Sequence, residues 1–216
     1  MIAHKQLAAI FFAPFAEIIW RDSAAGERIY LTFDDGPVPQ VTGQILNILA
    51  KFSVPATFFL LGERIDQFQG QLAGEDYRGH ALANHGYFHR PHILGSCRNW
   101  LEELKKTDEL IGGNWQPPEN LFRPPYGIFG PGLRKTLAAQ KKKMILWSVM
   151  SNDFKWPRQK AFAFLKKNTR PGDIVVFHDS VQTAEITPFV LPEFIIWCRD
   201  KGWKFSPLTV EPKAEP

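Results

Sequence analysis

Cysteine is scarce, with two in 216 residues. Cys97 and Cys198 stand far apart and lack the paired spacing of a zinc-binding scaffold, so free thiols are expected. Long apolar runs are scarce too. The most apolar stretch, Leu7 to Trp20, is too short to span a bilayer, and Pro14 and Glu17 interrupt it. It follows His4 and Lys5 in the manner of a signal peptide, but no small-x-small cleavage site comes after it. A helix is expected there, within an N-terminal segment, 1–27, that packs on the domain. With no clear export signal, a cytoplasmic location is favoured, the cell envelope or secretion being the alternatives. Charge of one sign is also limited. The net charge is +4, and Lys141-Lys142-Lys143 is the one basic run, which reads as a solvated helix end and not as a nucleic-acid patch. Repeats, low-complexity segments and a second domain are absent, and the oligomeric state is left open.

What the chain has in plenty is aromatic side chains, with 18 Phe and 7 Trp. Most belong in a core, and some could line a cleft where flat rings stack on sugar faces. Hydrophobic content of 44% and charged content of 22% are ordinary for a globular protein of one full-sized domain.

The chain is organised around Leu31-Thr32-Phe33-Asp34-Asp35-Gly36-Pro37. An apolar strand, Arg28 to Phe33, ends in two carboxylates, and Gly and Pro stop it at once. Neighbouring strand residues face opposite sides, so the two acids share a pocket only if the backbone bends, and Gly36 permits a bend. A helix then carries Val41, Ile45, Ile48, Leu49 and Phe52 on one face. Further strands are expected at Ala56–Leu61, Ala81–Asn84, Leu121–Arg123, Met144–Val149, Asp173–Phe177 and Trp203–Phe205. Helices are expected between them. One of these is capped by Ser96 and ended by Gly112-Gly113. Pro157 and Thr187-Pro188 open others, and the tail after Pro207 reads as frayed.

About seven strands alternating with helices predict a parallel α/β sheet, either doubly wound or closed into a barrel. The polar residues favour the barrel. Asp34-Asp35, His85, Arg123, Asp153 and His178 each follow a different strand, and barrel strand ends converge on one mouth. His85 and His89 are four apart, which on a helical turn places both rings on one side, as a metal requires. With one Asp they make three protein ligands and leave a position open, the catalytic pattern and not the closed structural one. Zinc is the default among divalent metals. His80 and His92 are alternative ligands. Arg123 suits a role holding an Asp ionised, or a surface ion pair. Asp153 suits a helix cap near Pro157. His178 at the mouth suits a general acid.

In order, Thr32-Phe33-Asp34-Asp35-Gly36-Pro37, His85-x-x-x-His89, Arg123-Pro124-Pro125-Tyr126-Gly127, Asp153 after the Trp147 strand, and Val176-x-His178 resemble the polysaccharide deacetylases of carbohydrate esterase family 4. The resemblance runs from about Arg28 to Pro207, nearly the whole chain. It implies a distorted (β/α) barrel of about seven parallel strands in a single domain, 28–207, followed by a tail, 208–216. It also implies a metal-dependent N-deacetylase acting on a glycan with N-acetylglucosamine, of peptidoglycan or chitin type. By motif position, Asp35, His85 and His89 would bind the metal and Asp34 would be the general base, oriented by Arg123. His178 would be the general acid, with Asp153 favouring its protonated form. Tyr126, through its backbone N–H, Pro124, Val176 and Phe154 would meet the substrate.

The chain also departs from the family pattern. Gly86 stands where Ser or Thr is usual, which removes a hydrogen bond and is expected to loosen the metal loop. Met150 replaces an Asp, Phe154 a Trp, and Val176 a Leu that lines the acetyl pocket. Every proton-moving and metal-binding position remains. Removal of O-acetyl esters, deformylation of a sugar, and an inactive carbohydrate-binding barrel are the alternatives.

Overall fold

Ile29, Leu31 and Phe33 face one apolar surrounding and Tyr30 another, so the strand that carries them is buried on both sides. In the computed structural model, which describes residues 15–74, 77–93 and 95–209, this strand, β2 (Arg28–Asp34), lies within a sheet whose ladder is parallel throughout. The outward face of β2 packs with Phe58, Leu60, Leu82, Val175 and Phe177 against the helices. Tyr30 joins Phe59, Ala83, Leu121, Ile145 and Ile174 in a separate inner core. A parallel sheet covered by helices outside and filled by side chains inside is barrel architecture.

The other strands are β1 (Ile18–Ile19), β3 (Thr57–Leu60), β4 (Ala81–Asn84), β5 (Leu121–Phe122), β6 (Lys143–Ile145), β7 (Val149–Met150), β8 (Ile174–His178) and β9 (Lys204–Phe205). Their order is β1-β6-β5-β4-β3-β2-β8-β7, with β9 also on β2. The expected strand over 144–149 is split. Its first half pairs with β5 and β1, its second half with β8, at the far end of the order. Leu146–Ser148 therefore crosses the seam as covalent chain, and among the described residues β6 and β7 do not pair. The barrel is distorted there because an isolated antiparallel bridge, Arg21 with Asp173, spans the seam in place of a parallel ladder.

The helices are α1 (Pro39–Lys51), α2 (Gly62–Phe68), α3 (Cys97–Asn114), α4 (Pro131–Ala139), α5 (Arg158–Asn168) and α6 (Thr187–Asp200). On α1, Val41, Ile45 and Leu49 are buried, as their spacing predicts. Ser96 caps α3, its Oγ accepting the Asn99 N–H at 3.2 Å. Gly112 and Gly113 do not end α3. Both sit exposed in its last turn while Trp100, Leu101, Leu104 and Ile111 hold the buried face. The helix expected over Leu7–Trp20 falls partly outside the described residues. Its described part is not helical, because Ile18-Ile19 extends along β6. The two cysteines are free thiols.

Candidate active site

Register sets the strand ends level. Asp34 lies opposite His178 on β8 and Phe59 on β3, Leu60 opposite Asn84, and Asn84 opposite Phe122. The residues just beyond, His85 and Arg123, therefore arrive at one rim with Asp34 and His178. That rim opens on a cavity of about 640 Å³ lined by Asp34, Asp35, Leu61, Arg64, His85, His89, Tyr126, Trp147, Met150, Phe154, His178, Ser180, Val181 and Gln182.

The two adjacent acids share this mouth because Asp35 itself adopts φ 79°, a left-handed turn at the strand end. The bend predicted at Gly36 thus falls one residue earlier, since Asp tolerates that conformation better than most residues. Gly36 serves closeness instead. A Cβ there would lie 2.0 Å from Asp179 Oδ2.

Asp34 is buried, and Arg123 Nη1 donates to its Oδ1 at 2.6 Å. Arg123 is wholly enclosed. It also donates to Thr32 Oγ1 at 2.8 Å and to the Leu146 carbonyl at 3.2 Å, and its guanidinium lies 4.1 Å from the centre of the Phe59 ring. Burial pushes the guanidinium pKa down and the Asp34 carboxylate opposes this. Arg123 is therefore an internal counterion and not a surface ion-pair partner.

His85 and His89 do not lie on a helix. His85 follows β4 and His89 sits in an irregular loop, where Gly86 at φ 93° reverses the chain between them. The loop is tied despite lacking the usual hydroxyl. The Gly86 N–H donates to Asn84 Oδ1 at 2.8 Å, its carbonyl accepts from the Gly62 N–H at 3.0 Å, and the His89 N–H donates to Glu63 Oε1 at 3.2 Å. The loosening expected from Gly86 is thus offset by backbone ties.

Asp35 Oδ1 lies 3.5 Å from His85 Nε2 and 3.2 Å from His89 Nε2. This group is the one set of three that could hold a metal among the described residues. Three observations fit a cation there. Asp35 Oδ1 is buried without a hydrogen-bond donor. His85 Nδ1 lies 2.7 Å from the Arg123 carbonyl, which can only accept, so Nδ1 is the donor and Nε2 is the ring nitrogen turned towards Asp35. Burial lowers the His89 pKa against the pull of Asp35, which favours the neutral ring that ligates. Asp35 is itself held at about 2: burial raises its pKa, and the imidazoles of His85, His178 and His89, in their protonated forms, lower it more. His80 and His92 lie elsewhere. His80 Nδ1 accepts the Ala56 N–H at 3.1 Å, and His92 is buried 3.8 Å from Glu103.

His178 Nδ1 meets Asp153 Oδ1 at 2.7 Å, and the His178 backbone N–H donates to Asp153 Oδ2 at 2.8 Å. Thr187 Oγ1 donates to the same Oδ2 at 2.6 Å. Asp153 is thus a buried partner of His178 and not a cap for α5. Burial alone would lower the His178 pKa, but the Asp153 carboxylate raises it to about 9. Phe154 stands edge-on to the His178 ring at 5.2 Å and is 44% exposed. Tyr126, in a left-handed turn, is 58% exposed, with its ring 4.4 Å from His89.

Two expected substrate contacts are not at the mouth. Val176 is fully buried opposite Thr32, one layer below His178, because alternation along β8 stacks 176 under 178. Pro124 is also buried and does not line the cavity. Sequence reasoning missed Asp179, a buried acid whose Oδ2 accepts from Thr42 Oγ1 at 2.7 Å while Oδ1 has no partner. Its pKa is raised well above the ordinary value, chiefly by burial. It also missed Arg64 and Gln182, which no motif flags.

A helix-wrapped parallel barrel carries at one mouth an Asp-His-His cluster that could hold a metal ion, beside two buried charge pairs. The chain belongs to the polysaccharide deacetylase family, whose sequence profile matches residues 21–145. A chitooligosaccharide deacetylase of Rhizobium leguminosarum bv. trifolii is 32% identical over 177 residues, covering 81% of this chain and 82% of that protein. The solved structure of a peptidoglycan N-acetylglucosamine deacetylase superposes with a TM-score of 0.84 at 27% identity, covering 92% of this chain and 96% of the other. A mutant of a carbohydrate esterase family 4 pseudoenzyme with restored activity superposes with a TM-score of 0.81 at 26% identity, covering 89% and 70%.

Proposed function

We propose that this protein is a metal-dependent hydrolase that removes N-acetyl groups from a glycan containing N-acetylglucosamine, of the peptidoglycan or chitin type. The observation that carries the reading is the meeting of two buried charge pairs, Asp34 with Arg123 and His178 with Asp153, at one mouth. Asp34 is held beside Arg123, while His178 is held protonated by Asp153.

Asp35, His85 and His89 are the residues that would hold the divalent metal, zinc by default. Bound there, it would supply Lewis acidity to the acetamide carbonyl and to water. Asp34 accepts a proton as water adds to the carbonyl carbon, and Arg123 fixes the direction of its carboxylate. The backbone N–H of Tyr126 would donate to the oxyanion of the tetrahedral adduct. His178 then gives its proton to the nitrogen as the C–N bond breaks, so acetate and a free amine leave. An amine expelled without that proton is a poor leaving group, which is why a histidine protonated at neutral pH suits the position. The rings of Tyr126, Trp147 and Phe154 offer apolar surface to the sugar.

The named substrates of the related deacetylases support a glycan ligand. The related pseudoenzyme raises a second reading, a barrel that only binds glycan. The complete acid, base and ligand set argues against it. Acetate release from chitotetraose, with zinc-loaded and chelator-treated protein in parallel, tests the proposal. Metal-dependent release abolished by His178→Ala is expected. No release from folded, zinc-loaded protein sinks it. Release from acetyl-xylan alone would assign the site to O-acetyl esters.

A further inference from the structure

Arg64 of α2 lines the same cavity as the Asp35, His85 and His89 cluster and His178, and among the described residues it has no ion pair. Among the described residues its side chain makes one hydrogen bond, Nη1 donating to Gln67 Oε1 at 3.0 Å, and its Nε is buried without an acceptor. Among the described residues, the acids of the same mouth and of the same helix are engaged elsewhere. Asp34 faces Arg123 and Asp35 faces the two imidazoles. Glu63 accepts the His89 N–H, and Asp66 is held by Lys106 and Tyr87. Apart from Asp34 and Asp35, the lining of the cavity brings no negative charge.

A neutral sugar filling this cavity would strip water from the guanidinium and return no counter-charge, which is unfavourable. A ligand that carries its own anion would complete the site. The planar fork of Arg matches the paired oxygens of a carboxylate or a phosphate. We infer that Arg64 reads an anionic substituent, carboxylate or phosphate, on the N-acetylated glycan, so that the preferred substrate is an acidic one. This rests on the deacetylase reading for the reaction but concerns recognition, which can be measured by itself.

The test uses zinc-loaded full-length protein and three matched oligomers. These are neutral chitotetraose, a glycan-strand fragment bearing muramic lactyl carboxylates, and 6-phosphorylated chitotetraose. Affinity is measured by calorimetry and acetate release by kcat/KM, for the native protein, Arg64→Gln and Arg64→Lys. The expected result is a preference of about tenfold or more for at least one acidic oligomer. Arg64→Gln should abolish that preference and Arg64→Lys should retain part of it. Whichever acidic oligomer shows the Arg64-dependent preference identifies the anion. Equal affinity for acidic and neutral oligomers, or a preference that Arg64→Gln leaves intact, overturns the inference. Arg64-dependent affinity without acetate release would uphold it and sink the deacetylase reading. Release without any acidic preference would do the reverse.

Discussion

Replacing Asp153 with Asn tests the proton-handling half of the site. His178 holds its proton to about 9 against an ordinary 6.5, which corresponds to roughly 3 kcal/mol. Burial opposes that rise, and the Asp153 carboxylate at 2.7 Å supplies it. Asn keeps the size and one acceptor oxygen but removes the charge. The His178 pKa then falls to 6.5 or below. At about pH 8 roughly nine-tenths of the native imidazole carries a proton, against roughly 3% at a pKa of 6.5. A rate limited by that proton falls about thirtyfold at this pH and less than about twofold at pH 6. A cation at Asp35 lowers the pKa in both proteins, but the difference between them survives. The kcat-against-pH profile and the NMR titration of the His178 ring in metal-free protein read the same quantity independently. An Asp153→Asn variant whose alkaline limb and ring pKa match the native ones would refute the reasoning.

Arg123→Met leaves Asp34 buried without its counterion and should destabilise by about 3–5 kcal/mol. Urea unfolding reads this, and a loss under about 1 kcal/mol contradicts the internal role given to Arg123. Gly36→Ala forces a methyl into the Asp179 carboxylate and should lower stability by at least about 1–3 kcal/mol, measured by thermal melting. His85→Ala should weaken zinc binding by at least about a hundredfold in calorimetry, more than the loss of a supporting hydrogen bond costs. Unchanged affinity would place the metal elsewhere. The proton on His178 also couples to folding. Its folded pKa is raised, so its stabilisation is full below about 6.5 and is lost as pH rises through about 9. The stability gap between the native protein and Asp153→Asn should therefore close as pH approaches 9.

Local chemistry made much of this protein legible in the chain itself. Apolar runs such as Ile174–Phe177 and the stripe Val41, Ile45, Leu49 carry their periodicity without reference to anything distant. The acids, histidines and Arg123 stand at run ends, where a parallel barrel must gather them. Ser96 announces a helix because capping is a matter of the next few residues. Tertiary structure decided what depends on partners far along the chain. The strand over 144–149 splits because its halves pair with neighbours at opposite ends of the sheet. Asp35 takes the bend that Gly36 permits, since Gly36 is needed bare against Asp179. Val176 and Pro124 fall behind the mouth because register, not motif membership, sets depth. Asp153 becomes the partner of His178 only when β7 lies beside β8. The unpaired charge of Arg64 is invisible in sequence for the same reason. Whether a side chain lacks a partner depends on every element that packs around it.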